Sequence, residues 1–356
     1  RRGDRGDSAM SIEIYPPDFG TRYQLTHAVS IQMTVYYNEI GKIQLVVPVD
    51  DYNIAALREG SMLYDTVRGT TYVIVNPKQD TTQNRITCNG YTTNWLLNRR
   101  VVAARKALTA VESGVYDLVN DNLRGLPRIK TAAVKGLTEQ YQPEDDEDNT
   151  VYGGQLLDRC IDVLDSAELG HRMVWNGSVL EYTFEVYKGT DRTSGIHAVA
   201  FVEEQGTCSD LVISSDISTY KNVAYVKYKL SDDSEPVECV GSAEGADRYE
   251  RWFDTSVSQE EGETADDVKK KAVSYANMEL GKYIKRSSFN VTIDPAELGV
   301  LYDLGDIVSC VSVRFGVNFK ARITGVKYKL DATGEKTEII LGEPILTALG
   351  EAKLNG

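Results

Sequence analysis

A stretch of about forty residues near the C-terminus constrains the fold most, because apolar and polar residues alternate there between short turn segments. The stretch from Tyr302 to Gly342 reads "YDLGDIVSCVSVRFGVNFKARITGVKYKLDATGEKTEIILG". Such alternation puts successive side chains on opposite faces of a strand and indicates β-structure with one buried face. Turn residues in "DLGD", "RFGVN" and "DATGEK" divide the stretch into three predicted strands. We therefore interpret Asp303 and Asp306 as turn residues rather than as a catalytic pair.

The N-terminal part of the chain shows the same period. The stretch "HAVSIQMTVYYNEIGKIQLVVPV" predicts a hairpin that turns at "NEIGK". Three more short strands are predicted between residues 60 and 91, with breaks at Arg68-Gly69, from Asn76-Pro77 through Asn84, and at Asn89-Gly90. Short strands at this spacing are typical of a small barrel or sandwich.

Helical periodicity appears in four places. The stretch "TTNWLLNRRVV" indicates a short helix or turn, and Ser113–Leu123 predicts an amphipathic helix with Ser113 as its N-cap. Residues 153–168 predict a stronger helix, whose apolar stripe is Leu156, Leu157, Cys160, Ile161 and Leu164. Another helix begins at Thr264, which can cap it.

These patterns predict an α+β, β-rich fold, with small β-barrel or sandwich domains and an α/β portion. The predicted segments are a leader or disordered arm (1–10, with Met10 a plausible native start), an N-terminal β-barrel-like domain (11–102), an α+β domain (103–205), a β-barrel-like domain with one long helix (206–345, helix 264–284) and a C-terminal tail (346–356).

Composition narrows the class of protein. The 356 residues carry 53 acidic and 39 basic side chains, a net charge of −14, which opposes non-specific binding to nucleic acid and to anionic lipid. The five cysteines are scattered and form no CxxC pair, which indicates free thiols and no zinc site. The sequence has no secretory signal, and no run of about 18 apolar residues predicts a membrane-spanning helix.

The histidines and cysteines suggest little chemistry. His27, His171 and His197 are far apart in the sequence, so we expect a structural role for each. Cys208, in "TCSD", has no neighbouring pattern that would make it a nucleophile. The chain contains no G-x-S-x-G elbow, Walker loop or H-E-x-x-H helix.

The remaining candidates are acidic or aromatic. The run Glu144–Asp148 lacks the ligand spacing of a calcium loop, and a pair such as Asp232-Asp233 is common in so acidic a chain. Trp95 and Trp175 lie in patterned segments and are interpreted as core, which leaves Trp252 as the third tryptophan. We predict no catalytic, cofactor-binding or metal-binding residues, no cofactor, and a protein that is not an enzyme.

Four stretches together resemble the Tal-type baseplate hub proteins of siphovirus-like phage and prophage tails. They are "SIQMTVYYNEIGKIQLVVPV", "ITCNGYTTNWLLNRRVV", "GGQLLDRCIDVLDSAELGHRMVWNGSVLEYTFEVYKGTDRT" and the terminus "LGDIV…ARITGVKYKLDATGEKTEIILG", with "YKNVAYVKY" upstream. Their order and spacing, over most of residues 12–343, carry the resemblance.

The resemblance implies a structural protein of the virion tail tip, made in the bacterial cytoplasm. It implies a homotrimeric ring that joins the tail tube to the tip and contacts the distal tail protein ring, the tape measure protein and a central spike or fibre. DNA would pass through the lumen without specific binding, and the chain would not insert into a membrane. Some relatives carry a C-terminal peptidase or lysin extension, which we do not expect here.

Two other classes of function stay open at the level of the sequence. One is a cell-wall hydrolase, which would need a cleft where carboxylates or a Cys/His pair converge. The other is a carbohydrate-binding tail-tip protein, which would need exposed Trp and Tyr side chains.

Overall fold

The computed structural model describes residues 11–141, 149–260, 262–283, 286–293, 297–314 and 316–342. The predicted arm (1–10), the acidic run Glu144–Asp148 and the predicted tail (346–356) lie outside the described residues. Contacts divide the chain into two compact units. The described residues of Arg1–Pro143, Glu147–Val212 and Asn290–Gly356 form unit 1, and those of Ile213–Phe289 form unit 2.

The predicted β-rich α+β class is confirmed, because strands dominate the described residues and helices are few. The strands are β1 (Ile12–Tyr15), β2 (Tyr23–Gln24), β3 (Ser30–Tyr36), β4 (Lys42–Pro48), β5 (Met62–Asp65), β6 (Thr70–Asp80), β7 (Arg85–Thr92), β8 (Lys106–Ala107), β9 (Ile129–Thr131), β10 (Thr150–Val151), β11 (Gly170–Asn176), β12 (Glu181–Tyr187), β13 (Ala200–Val202), β14 (Ser209–Asp216), β15 (Val223–Lys229), β16 (Val237–Val240), β17 (Glu250–Ser258), β18 (Arg286–Thr292), β19 (Ile307–Ser312), β20 (Val317–Asp331) and β21 (Gly334–Leu341). The helices are α1 (Asp51–Ala56), α2 (Val111–Asn122), α3 (Leu156–Ser166) and α4 (Ala265–Gly281), with 3-10 turns at Thr93–Arg99, Glu203–Gln205 and Gly245–Asp247.

The largest sheet joins the two ends of the chain. Its strand order is β14-β18-β21-β20-β3-β4-β7-β6-β5-β1-β2, and β19, with β13 beside it, also pairs with β20. The predicted hairpin is present as β3 and β4, while β3 pairs on its other side with β20, where Tyr328 lies opposite Met33. The three C-terminal strands therefore complete the N-terminal sheet. The sheet thus contains strands from both the predicted N-terminal domain (11–102) and the predicted C-terminal domain (206–345). That the boundaries at 102, 205 and 345 separate independently folding domains stays a prediction.

The break predicted from Asn76-Pro77 through Asn84 begins later than expected. Strand β6 runs through Asn76 and Pro77 to Asp80, and the turn that separates it from β7 occupies residues 81–84. The register between β6 and β7 shifts between Ile74 and Asn76, so the strand carries an irregularity just before the proline. Pro77 itself pairs with Cys88 of β7, whereas the pairing of β6 with β5 covers only Thr70–Val73, so the proline lies where β6 is an edge strand, a position that tolerates proline.

The first amphipathic helix also differs from its prediction at its start. Helix α2 begins at Val111 with Ala110 as its N-cap, so Ser113 lies inside the first turn and does not cap it. The carboxylate of Glu112, in that first turn, instead accepts three backbone N–H bonds from residues 135–137. Glu112 therefore has two roles. Its negative charge is favourable near the N-terminus of α2, and its hydrogen bonds anchor the loop at residues 135–137.

A second core lies between the helices and a small sheet in unit 1. Strand β12 pairs with β11 antiparallel and with β9 parallel. Apolar side chains of α2 and α3 pack against this sheet around Phe184 and Trp175. The predicted stripe of α3 is buried there, except that Ile161 is half-buried.

Unit 2 is a three-stranded sheet, ordered β16-β15-β17, with α4 packed on one face. Thr264 caps α4, as predicted, and forms a capping box with Asp267. None of the helices in the described part of the chain combines the length and apolar character needed to cross a bilayer.

Candidate functional site

Tyr37, directly after β3, is the centre of a junction between distant parts of unit 1. The ring is buried. Its hydroxyl lies 3.1 Å from the carbonyl oxygen of Glu168 and 3.3 Å from that of Tyr187, and it accepts a hydrogen bond from the Gly189 N–H at 3.2 Å. These partners lie 131 to 152 residues away in sequence, so one side chain holds the first sheet against the segments that flank β11 and β12.

Glycines make this packing possible. A Cβ atom at Gly170 or at Gly305 would lie 2.3 Å from a carbon of the Tyr37 ring. A Cβ atom at Gly189 would lie 1.8 Å from the carbonyl oxygen of Gly305. Gly305 also has φ +95°, which favours glycine for backbone reasons alone. The three positions thus require glycine because the backbone approaches the ring, or other backbone, too closely for a side chain.

Asp306 completes the junction. Its buried carboxylate accepts hydrogen bonds from the N–H groups of Thr190 at 2.7 Å and Asp303 at 3.0 Å. It also forms an ion pair with Arg192. Asp306 is therefore the turn residue that the sequence indicated, and it additionally fixes the segment after β12.

A groove of about 830 Å³ opens in unit 1 beside this junction. Its walls come from the end of β3, the β5–β6 turn, the start of the 3-10 turn at Thr93, the outward face of β11 and the loop at 298–304. Val67 and Val174 are exposed apolar side chains of these walls. The lining of the groove is a mixture of apolar and polar side chains.

Arg68 braces one wall of the groove. It is paired with Asp65 and Glu335 and lies over the ring of Tyr328, with its guanidinium carbon 4.3 Å from the ring centroid. Glu335 follows the β20–β21 turn, so this contact ties the β5–β6 turn to the C-terminal hairpin. Buried and bridging charges of this kind fix geometry more than they add stability.

The three histidines do not come together. His171, the second residue of β11, is buried, its Nδ1 lies 3.1 Å from the Asn94 amide nitrogen, and its ring stacks on Phe184. His27 precedes β3 and is exposed, and His197 is exposed in the loop before β13. Within the described residues, no group of three or more His, Cys, Asp or Glu side chains is arranged to hold a metal ion.

The burial of His171 predicts a pH dependence of stability. Burial lowers the pKa of the ring to about 4, although the nearby Asn38 carbonyl partly opposes the shift. As the pH falls, the His171 ring of the unfolded chain therefore becomes protonated near pH 6.5, whereas that of the folded chain becomes protonated only near pH 4. This contribution to the free energy of unfolding is fully present above pH 6.5. We expect it to fall by about 3 kcal/mol as the pH drops to 4.

Urea unfolding of the wild type and of His171→Gln between pH 4 and 7 measures this effect. The slope of stability against pH should flatten in the variant, because glutamine does not titrate. His27→Gln, at an exposed position, serves as the matched control for replacing an imidazole by an amide. Equal slopes for wild type and His171→Gln would contradict the prediction.

The other candidates have structural explanations. Burial raises the pKa of the Cys208 thiol to about 11, which disfavours a nucleophilic thiolate. Asp232 accepts hydrogen bonds from the N–H and hydroxyl of Ser234, and Asp233 pairs with Lys229 at 2.7 Å.

The tryptophans divide into two kinds. Trp175 is buried in the core, as predicted. Trp95 is only half-buried and stacks on Tyr91 with ring centroids 5.5 Å apart, so its interpretation as core is wrong. Trp252, on β17 of unit 2, is half exposed.

Comparison with known proteins places the fold. The solved structures that resemble the chain include the tail protein from Neisseria meningitidis MC58, with a TM-score of 0.56 and 12% identity over 94% of this chain and 97% of that one. The 43 kDa tail protein of prophage MuSo2 from Shewanella oneidensis has a TM-score of 0.55 and 12% identity to this chain. The match covers 93% of this chain and 97% of that one. At such identities the likeness shows a shared fold. No curated protein matches the chain.

A family model gives the relationship at the level of sequence. The model described as Siphovirus ReqiPepy6 Gp37-like protein matches residues 11–343. This range contains all four stretches on which the resemblance to siphovirus-like tail proteins was based, and the resemblance is confirmed. The chain belongs to the Siphovirus ReqiPepy6 Gp37-like family of siphovirus tail proteins.

Proposed function

We propose that the chain is a structural subunit of the phage tail baseplate hub. Three copies would form a ring that joins the tail tube to the tail tip. The observation that carries this proposal is the family match over residues 11–343, which spans both compact units. The shared fold with solved tail proteins over more than nine-tenths of each chain supports it.

The construction of unit 1 suits a protein that transmits force. The first and last strands pair in one sheet, and Tyr37 and Asp306 fix distant segments through buried hydrogen bonds. Buried networks that are fully paired hold a single geometry. A ring subunit between a tube and a tip needs this property more than it needs a reactive site.

In this proposal the neighbours of the ring are the distal tail protein ring, the tape measure protein and a central spike or fibre. The chain would be made in the bacterial cytoplasm and reside in the virion tail tip. DNA would pass through the lumen without specific contact, because a net charge of −14 repels phosphates. A ring whose lumen is lined by neutral or basic side chains would contradict this last point.

Gold-labelled antibody against the chain, applied to intact phage tails, tests the proposal. Label at the tip end of the tail is expected. Negative-stain images of the purified chain at high concentration should contain three-membered rings. Label along the tail shaft, or none on intact tails, would overturn the hub assignment.

A cell-wall hydrolase is the competing function, and the carbohydrate-binding alternative depends on Trp252. Incubation of the purified chain with peptidoglycan should release no soluble fragments if the hub proposal is right. Sedimentation with peptidoglycan should be the same for wild type and Trp252→Ala. Release of fragments would favour the hydrolase, and weaker sedimentation of the variant would favour carbohydrate binding through the exposed tryptophan.

A further inference from the structure

A group of arginines forms a basic surface on this acidic chain. The arginine surface consists of Arg99, Arg100, Arg105 and Arg124. The guanidinium of Arg100 donates to the carbonyl of Leu123 at 2.8 Å, and that of Arg124 donates to the carbonyl of Val101 at 2.9 Å. These bonds hold residues 100 and 101 against the segment at the end of α2 and so place Arg100 and Arg124 on one part of the surface.

None of these four guanidinium groups pairs with a carboxylate of the described residues. Neighbouring cations behave differently, since Lys106 pairs with Asp121 at 2.9 Å and Arg159 with Asp162 at 3.0 Å. The side chains of Arg99, Arg105 and Arg124 are exposed. Among the described residues, these arginines therefore have no paired carboxylate, although the chain as a whole carries −14.

Apolar and aromatic groups accompany this charge. Val101 is 43% exposed and Tyr152 is 53% exposed. The guanidinium carbon of Arg105 lies 4.2 Å from the centroid of the Tyr152 ring. Exposed arginine and tyrosine beside an aliphatic group is the composition of energetically important residues at protein interfaces.

The mouth of the groove described above has the complementary chemistry. Glu39 and Asp303 line the groove with exposed carboxylates that form no ion pair with described residues, whereas the two arginines of its lining, Arg68 and Arg172, are already paired with carboxylates. Val67 and Val174 lie beside them as exposed apolar side chains. The same chain thus offers a basic surface and an acidic surface, each with apolar groups next to the charge.

The partner that fits is a second copy of this chain. A second copy brings carboxylates that the arginines can pair with and exposed valines that can cover Val101, whereas a duplex nucleic acid presents phosphates without such apolar side chains. Contact between two different surfaces of identical subunits is heterologous, and it closes into a ring when the rotation between subunits allows. We propose that the arginine surface of one copy docks at the mouth of the groove of the next, an inference that rests on the ring proposed above.

Two charge-matched variants test the docking. Arg99→Gln with Arg105→Gln removes two positive charges from the arginine surface, and Lys78→Gln with Arg85→Gln removes two from exposed residues of β6 and β7. Sedimentation equilibrium in about 0.05 M salt measures self-association, where exposed charges are screened least. We expect the first pair to weaken association about tenfold and the second to change it little.

A charge exchange gives the second arm. Arg99→Glu with Arg105→Glu should not associate alone, and neither should Glu39→Arg with Asp303→Arg. Combining all four substitutions in one chain should restore association, because the reversed arginine surface then meets a reversed groove at every contact of the ring. Failure of this fourfold variant to associate would overturn the proposed pairing.

The remaining outcomes are equally decisive. Equal weakening by both glutamine pairs would mean general repulsion and would overturn the inference, as would a wild type that stays monomeric at all concentrations. Retention of duplex DNA that is lost in Arg99→Gln with Arg105→Gln would assign the surface to nucleic acid instead. Tails labelled at the tip, with unchanged rings in that variant, would refute the docking contact while leaving the hub function standing.

Discussion

Replacing Gly305 with alanine is expected to lower the free energy of unfolding by about 3 kcal/mol. Two costs add at this position. The backbone has φ +95°, which an L side chain adopts only with strain. The new methyl group would also lie 2.3 Å from the ring of Tyr37, which is buried and held by hydrogen bonds to other segments. Urea denaturation of the purified variant measures the loss.

Gly195→Ala is the matched control, because Gly195 has φ +86° and no atom lies within 4 Å of the position that its new methyl group would take. It carries the backbone cost without the overlap, so we expect a loss of about 1 kcal/mol. In the background of Tyr37→Ala, the additional cost of Gly305→Ala should shrink toward that of the control. Equal losses at Gly305 and Gly195 in the wild-type background would show that contact with Tyr37 contributes nothing.

Replacing Glu112 with leucine is the second change with a large expected effect. The side chain is buried, and its carboxylate accepts bonds from the N–H groups of Lys135 at 2.7 Å, Gly136 at 2.9 Å and Leu137 at 2.9 Å. Leucine would leave three donors without their acceptor. We expect the free energy of unfolding to fall by about 3 kcal/mol. This is less than the sum of three charge-assisted hydrogen bonds, because water can reach the exposed loop and bond to the freed N–H groups.

Hydrogen exchange at the amides of residues 135–137 reports the same bonds directly. Protection there should fall in Glu112→Leu by more than global stability falls, because the loop loses its anchor. Glu112→Gln keeps an accepting oxygen and should lie between the wild type and the leucine variant. Glu59→Leu, at an exposed position, should change stability by no more than about 0.5 kcal/mol. Unchanged exchange in Glu112→Leu would contradict the anchoring role.

Local patterns predicted most elements of the fold. The hairpin of β3 and β4, helices α3 and α4 with the Thr264 cap, and the three C-terminal strands all follow from periodicity and turn residues. These features depend on residues within a few positions of one another, which a sequence displays directly. Two local signals were misleading, because Pro77 continues β6 and pairs with Cys88 of β7, and α2 begins two residues before Ser113.

The candidate site was much less predictable. The residues next to Tyr37 in sequence do not indicate that it packs in the junction formed by Gly170, Gly189 and Gly305. A glycine in a turn looks the same in a sequence whether or not an aromatic ring packs against it. The arginine surface could be suspected from "NRRVVAARK", but only the paired or unpaired state of each cation distinguishes it from an ordinary solvated segment. That state depends on carboxylates that are distant in sequence.

The sequence by itself determined the β-rich class, the family, and the positions of most strands and helices, because alternation, capping and turn chemistry are short-range properties. Only the tertiary structure decided that β20 pairs with β3, so that the C-terminal strands complete the first sheet. It alone showed which exposed arginines have no paired carboxylate among the described residues. Strand pairing and charge pairing depend on which distant segments meet, and a one-dimensional pattern of apolar and polar residues is compatible with many such meetings.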